Sequence, residues 1–509
     1  MLPTHPFQVS LETVIGASPM LGHRLENRGE IRQAQDLNLL ASIQQESTLS
    51  LRDASQQNAF VVAPLDVLVS RTKTGVRFHI IELNGTGIGG VSNLPAEVVA
   101  PIAASLCKVA AELWKPNAIL LLPVSGREND QDPRLNKLMH EKLIFAEALS
   151  RGLADAGGSS EIVTVCGLRQ GTQALTEGVA TVVMGYMKEL LEACQLGSNG
   201  ELLLHNRPVV GAVNDRFCLN LLANFQGQLN LELFRPINGT YLAGGDKGAA
   251  YSLLDDYLVH VPSCHFPDRV CFTHADNRQQ LIQEVLRWLK MNRKVVIKPH
   301  GTGIGHGIEF FLDSNEPLET ILAKIDDSIR LTEEYYQVAG GAFPYTVCEF
   351  IDTDLIRAPA HRLDGHKYEL RVVVYRDGMM LKACPAIVKV AVQQYEQGNA
   401  GKHNLINNIT NASANFPVDG TDYMLPLCNR QTLGLLGITE NELLELCRVA
   451  TEYVRYAIEE IPQMEERMRR SLHSQPGDLP AGVQNRMRGF SEALERLERL
   501  KRLAAKEIP

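Results

Sequence analysis

The sequence predicts an α/β fold, and three stretches carry that expectation. AILLLPV (118–124) and EIVTVCG (161–167) are short, apolar, β-branched runs that read as buried strands. Between them, KLMHEKLIFAEALSRGLADAGG (137–158) reads as a helix ended by glycine. Strand, helix and strand in that order suggest a parallel α/β layer.

The other elements follow in chain order. AFVVAPLDVLV and VRFHIIEL, between about residues 60 and 83, are strand patterns separated by the polar turn SRTKTG, as in a β-hairpin. Residues 97–114 look helical. ELLLHNRPVVGAVNDRF (201–217) predicts a hairpin turning at His205-Asn206 and then a helix. LIQEVLRWLKMNRKVVIKPH gives a helix and a strand that runs into a glycine-rich segment. YTVCEFI is a strand, and ELRVVVYRDGMMLKACPAI is two strands joined at Arg376-Asp377-Gly378. Thr439 with Glu442 forms a capping box ahead of a helix to about Glu460, with Ile438 and Leu443 as its hydrophobic staple. HSQPGDLPAG (473–482) is a linker by composition. Beyond it, Leu494, Leu497, Leu500 and Leu503 mark a helix, either docked on the body or used to form a homo-oligomer.

Composition excludes several classes. The 509 residues suggest two or three domains, and 45% hydrophobic with 21% charged residues is an ordinary globular balance. A net charge of −9 gives no general attraction to nucleic acid or an anionic membrane surface. The first residues lack the basic and apolar regions of a signal peptide, and no apolar run reaches transmembrane length. Ten cysteines are scattered without a CxxC, which points to reduced thiols in a cytoplasm. Cys107, Cys166 and Cys218 sit in apolar runs and read as core residues.

GTGIG occurs twice, at 85–89 within NGTGIGG and at 301–305 within HGTGIGHG. In the second copy a β-branched strand carries Lys298 and then meets Gly301, Gly303, Gly305 and Gly307 at alternate positions. A backbone stripped of side chains in this way can approach a polyphosphate and aim its N–H groups at it. The segment is neither a Walker A loop nor a GxGxxG dinucleotide turn. Asp246-Lys247 lies upstream of it, and CEFIDTD downstream places Glu349 at a strand end.

Strand, lysine and glycine loop, followed by strand, Glu and an apolar hinge, resemble the ATP-grasp superfamily. The resemblance implies that Lys247 and Lys298 hold ATP phosphates under the glycine lid. It implies that Glu349, Phe350 and Ile351 form the adenine hinge, and that Asp354, or Asp352 in its place, takes the ribose. In ELRVVVY, Arg371 would face the reacting phosphoryl group; where the family often has Asp two residues earlier, this chain has Glu369. The family's Mg²⁺ site, an Asp on one strand and Glu-x-Asn ending the next, is not found downstream of residue 410. APLDVLV and HIIELNGTG supply it at the other end as Asp66, Glu82 and Asn84. Hard oxygen ligands of this kind suit Mg²⁺ shared with phosphate. The two GTGIG segments would then be unrelated: one beside the metal, one over the phosphates.

The chain therefore resembles a circularly permuted ATP-grasp enzyme. Residues 1–96 would carry the metal-binding strands and 97–240 a Rossmann-like domain of the kind that precedes ATP-grasp. Residues 241–430 would form the nucleotide-binding part, α+β in character, and 431–509 a helical C-terminal region. The resemblance implies an ATP- and Mg²⁺-dependent ligase that joins a small-molecule carboxylate to an amine through an acyl phosphate. A small-molecule kinase and a non-catalytic nucleotide-binding regulator are the alternatives. Asn404, Asn407 and Asn408 compete for a place facing the reaction centre. Lys389 is either a cation facing the acyl phosphate or a solvated strand lysine. His300 and His306 read as loop histidines, and Ser125-Gly126-Arg127 as part of an acceptor site.

Overall fold

The computed structural model describes residues 30–52, 60–73, 75–88, 91–124, 136–213, 217, 221, 225, 229–230, 232–238, 247–260, 270–299, 307–336, 342–396, 405 and 423–471. Helix α1 (Leu37–Ser47) leads to β1 (Leu49–Ser50) and to the hairpin of β2 (Val62–Thr72) and β3 (Gly75–Leu83). Next come α2 (Ala96–Leu113), β4 (Ile119–Val124), α3 (Asn136–Gly157), β5 (Ser160–Thr164) and β6 (Ala180–Tyr186). They are followed by β7 (Cys194–Leu196), β8 (Leu202–Leu204), β9 (Arg207–Val213), β10 (Arg235–Ile237) and α4 (Lys247–His260). Then β11 (Phe272–Ala275), α5 (Arg278–Lys290), β12 (Val295–Pro299), β13 (Glu309–Phe311), α6 (Leu318–Tyr336) and β14 (Tyr345–Glu349) form a third group. The chain continues through β15 (Tyr368–Asp377), β16 (Met380–Val390), β17 (Met424–Pro426), α7 (Arg430–Leu436) and α8 (Glu440–Ser471).

The strands make three sheets in a mixed α/β structure. The first is antiparallel, in the order β1-β16-β15-β2-β3 with β17 on β16. It joins strands from the two ends of the sequence, and its apolar face packs against α1, α2 and α8 in the largest core cluster. The second sheet runs β5-β6-β4-β9-β8-β7, with β5, β6, β4 and β9 parallel and β10 added beside β9. Its parallel strands stand in the spatial order second, third, first, fourth, which differs from the third, second, first, fourth of a doubly wound dinucleotide-binding domain. The third, β11-β14-β12-β13, is antiparallel and has its own core around Trp288, Phe311 and Tyr345.

Local chemistry explains the boundaries. His205 and Asn206 both have positive φ, 49° and 61°, the left-handed pair that a two-residue hairpin turn requires. The strand expected over EIVTVCG stops at Thr164, whose hydroxyl accepts from Gly167 N–H at 2.9 Å and caps a short helix, Val165–Gln170. Thr439 and Glu442 bond reciprocally, with Thr439 N–H donating to Glu442 Oε2 at 2.7 Å and Glu442 N–H to Thr439 Oγ1 at 3.2 Å. The helix they start continues past Glu460 to Ser471. The linker 473–482 and the leucines from Leu494 to Leu503 lie outside the described residues. No described helix is long and apolar enough to cross a membrane.

Asn238 clips the first two sheets together. It is fully buried, with φ 69°, just past β10. Its amide oxygen accepts from Val61 and Val62 N–H at 2.9 and 3.3 Å, and its amide N–H donates to Val62 carbonyl at 2.8 Å.

Candidate active site

Register in the first sheet builds one row of charged side chains. Arg371 on β15 pairs with Asp66 on β2, and Asp66 with Glu82 on β3, so the three share a face. A bulge between Asp66 and Val67 puts one extra residue, Ile81, on β3. Bulges re-aim side chains, and here adjacent Ile81 and Glu82 both serve the same side. One pair along, Glu369 lies opposite Leu68, and Lys389 on β16 lies opposite Glu369.

These groups satisfy one another. Arg371 donates from Nε and Nη2 to the two oxygens of Asp66 at 2.8 and 2.7 Å, the forked geometry a guanidinium favours. Its Nη1 donates to Ile88 carbonyl at 2.7 Å, anchoring the first GTGIG segment. Ile88 N–H in turn donates to buried Glu141 at 3.1 Å. Lys389 donates to Asp66 at 3.0 Å and also bonds Glu369. Asn84 reaches Asp66 at 3.4 Å. Burial would push the Asp66 carboxyl up, but Arg371 and Lys389 beside it hold it well below the usual carboxylate range. For Glu369, burial raises the carboxyl, Lys389 pulls it down and the Asp66 charge adds to the rise; the net shift is upward.

The third sheet faces the first across a cleft of about 620 Å³, its open mouth included, and of the charged row only Glu369 lines it. Leu68, Ile81 and Glu369 line one side, and Val296, Lys298, Phe310 and Cys348 the other; Glu349, Phe350, Ile351 and Thr353 follow along the chain. Helix α4 bridges the two walls. Lys247 donates to Glu82 at 2.7 Å, and Tyr251, one turn later, receives Lys298 at 2.7 Å. A concave, mostly apolar slot with a few convergent charged groups is what a small-molecule site requires.

The structure thus brings Asp66, Asn84 and Arg371 into one network, with Glu82 opposite Asp66 in register and bonded to Lys247. It brings Lys298, Glu349, Phe350 and Ile351 to the cleft lining. Asp354 is not there. Its carboxylate is buried and taken by Arg71 Nε at 2.7 Å and Arg357 at 3.2 Å. Asp352 is exposed and paired with Lys367 at 2.9 Å. Lys389 is buried between two acids and is no solvated strand lysine. Gly307 has φ 67°, and a side chain there would meet Thr332 Oγ1 at 2.2 Å, so this glycine serves close packing. Gly301, Gly303, Gly305, Asn404, Asn407, Asn408, His300, His306 and residues 125–127 lie outside the described residues. Leu405, among the asparagines, lines the cleft. Tyr251 is the site residue that the sequence reading missed, and its one signal is its place four residues after Lys247.

No protein-family model matches this chain, and no curated protein matches it in sequence. Among solved structures it is similar to a Methylobacillus flagellatus KT protein provisionally named gamma-glutamylcysteine synthetase, with 13% identity and a TM-score of 0.38 over 90% of this chain and 98% of that one. It is also similar to D-alanyl-alanine synthetase A of Vibrio cholerae, with 11% identity and a TM-score of 0.24 over 50% of this chain and 66% of that one.

Proposed function

We propose that this protein is an ATP-dependent, ADP-forming ligase of ATP-grasp type, circularly permuted, that joins a carboxylate to an amine. One observation carries the reading. An apolar slot between two sheets has Lys298 and, on the facing sheet, Glu369 in its lining, and two residues along β15 from Glu369 stands the Arg371–Asp66–Glu82 row with Lys247 attached. The base of a nucleotide suits the apolar part, between Leu68 and Ile81 on one side and Phe350 and Ile351 on the other. Its phosphates would meet Lys298, Lys247 and Arg371, three cations on separate elements. Asp354 is held by Arg71, and both carboxylates in the lining have a partner: Glu349 Oε1 accepts from Cys271 N–H at 2.8 Å and Glu369 from Lys389.

The residues fit Mg²⁺. Asp66, kept ionised by its neighbours, and Glu82 stand side by side, with Asn84 in reach of Asp66. Among the described residues no three acid, His or Cys side chains form a metal cage of their own. Mg²⁺ commonly takes one or two carboxylates and completes its shell with substrate phosphate and water. Bound there, Mg²⁺ would neutralise charge on the phosphate chain. Lys247 and Arg371, which balance Glu82 and Asp66, are placed to turn toward phosphate oxygens when nucleotide arrives. The substrate carboxylate then attacks the γ-phosphorus and ADP leaves. The amine attacks the acyl carbon, inorganic phosphate leaves, and the nitrogen gives up a proton. Positioning and charge neutralisation suffice, and no side-chain nucleophile is needed.

On this reading the first sheet is the permuted catalytic half, assembled from residues 1–96 and 241–430, with 97–240 and 431–509 as flanking parts. The test is ADP release from ATP and Mg²⁺ across amino-acid and amine pairs, with mass spectrometry of the products. Gamma-glutamylcysteine and D-alanyl-alanine are two products to seek. Amide plus phosphate supports the ligase. A stable phosphorylated product would make it a kinase, and nucleotide binding without turnover a regulator.

A further inference from the structure

We propose that Tyr251 is a positioning residue that holds the Lys298 ammonium in the cleft, ready for phosphate; the proposal rests on the nucleotide-site reading above. Tyr251 is 2% exposed yet lines the cleft, on the second turn of α4. Its hydroxyl accepts from Lys298 Nζ at 2.7 Å, and the same ammonium lies 5.4 Å from the centre of its ring. The Cys348 side chain, buried on β14 next to β12, packs in the same cluster as the ring. Phe272 packs on the ring, with centroids 5.4 Å apart. The ring is therefore held by its packing, and the hydroxyl faces Lys298.

A lysine ammonium on a four-carbon stem carries large rotamer entropy, and a ligand that must order it loses affinity. Tyr251 removes part of that cost in advance, by a charge-assisted hydrogen bond and by the ring face. Lys247, one turn earlier on the same helix, is fixed by Glu82. Helix α4 so carries Lys247 itself and, through Tyr251, contacts Lys298. The helix is itself held by α8: Tyr453 Oη donates to Ala250 carbonyl at 2.9 Å, and Tyr257 Oη to Glu452 at 2.9 Å.

The test is a double-mutant cycle on nucleotide affinity, read by calorimetry with ATP and with ADP, alongside KM and kcat for ATP. Tyr251→Phe keeps the ring and removes the hydroxyl. It is expected to weaken ATP binding about tenfold and to raise KM for ATP with a smaller change in kcat. In a Lys298→Met background the same change is expected to alter affinity by no more than about twofold, because Tyr251 acts through Lys298. Phe272→Leu, which loosens the packing against the Tyr251 ring, is expected to give a smaller loss that also vanishes in the Lys298→Met background. This variant decides the matter should Tyr251→Phe fail to fold. Unchanged affinity in folded Tyr251→Phe, or losses that add fully to that of Lys298→Met, would overturn the positioning role. If the wild type binds no ATP, or Lys298→Met binds it as tightly, the nucleotide-site reading itself fails and the proposal falls with it.

Discussion

Lys389 sits between two buried acids, and replacing it by methionine should turn the stability of the protein into a function of pH. Methionine fills a similar volume without charge. Asp66 keeps its two bonds from Arg371 and loses the one from Lys389, a constant cost of about 1–2 kcal/mol. Glu369 loses its cation while Asp66, still ionised, remains nearby. Glu369 can avoid being a lone buried anion by keeping a proton. Relative to a free carboxyl near about 4.3, that costs roughly 1.4 kcal/mol per pH unit, or about 3.7 kcal/mol at pH 7. This sets the ceiling, since the group ionises if ionising costs less. The Glu369 carboxyl is raised in the folded state, so the penalty is absent below the unfolded value and grows as pH rises toward the folded one. The gap between the urea midpoints of wild type and Lys389→Met should be smallest near pH 5, where the constant part dominates, and should widen by pH 8. Adding Glu369→Gln should remove the pH-dependent part and leave the constant part. A gap that stays flat from pH 5 to 8, or a double variant no more stable than the single one, would refute the account of Glu369 as a buried acid held ionised by Lys389.

Three further outcomes can be checked. Glu82→Gln should fold normally and lose Mg²⁺-dependent ATP turnover by at least about a hundredfold, because one carboxylate no longer helps to hold charge at the transferred phosphoryl; normal turnover in a folded variant would remove Glu82 from the site. Arg71→Ala should lower stability by about 2 kcal/mol in urea denaturation, since it strips buried Asp354 of its better partner and the carbonyls of Leu436 and Gly437 of a donor; Arg71→Lys should recover less than half, lacking the forked donors. Gly307→Ala should cost about 1–3 kcal/mol in thermal unfolding, through its left-handed backbone and the 2.2 Å approach to Thr332, whereas Gly87→Ala, with open space around it, should cost less than about 1 kcal/mol.

Features set by neighbouring residues were legible in the sequence. The β2–β3 hairpin, the turn at His205-Asn206, the capping box at Thr439 and the strand leading from Lys298 toward glycine each depend on a few consecutive residues. The partnership of Asp66 with Arg371, 305 residues apart, has no local signature and was reached through the family resemblance alone. Asp354 shows the limit of that route. Its place after the hinge suits a ribose, yet Arg71, 283 residues earlier, folds onto it and takes the carboxylate. For Lys389 the sequence leaves a reaction-centre cation and a solvated strand lysine equally open, because only the register of β15 and β16 puts two acids around it. Strand β6, ATVVMGY, is as apolar as β4 but was passed over, and its insertion between β5 and β4 gives the second sheet an order that no local pattern encodes.

The pairing of β2 with β15 also bears on how the chain is made. A ribosome adds about 5–20 residues per second, so roughly 15–60 s separate the synthesis of Asp66 from that of Arg371, 305 residues later. Throughout that interval β2, whose residues Val62–Val67 are all buried in the finished protein, has β3 on one edge and nothing from β15 on the other. The second sheet, complete by Ile237, can close well before then. The nascent chain therefore carries an unpaired apolar strand edge for most of its synthesis. Such an edge invites pairing with another chain, and the yield of folded protein should fall when translation is slowed between residues 240 and 368 or when trigger-type chaperones are depleted.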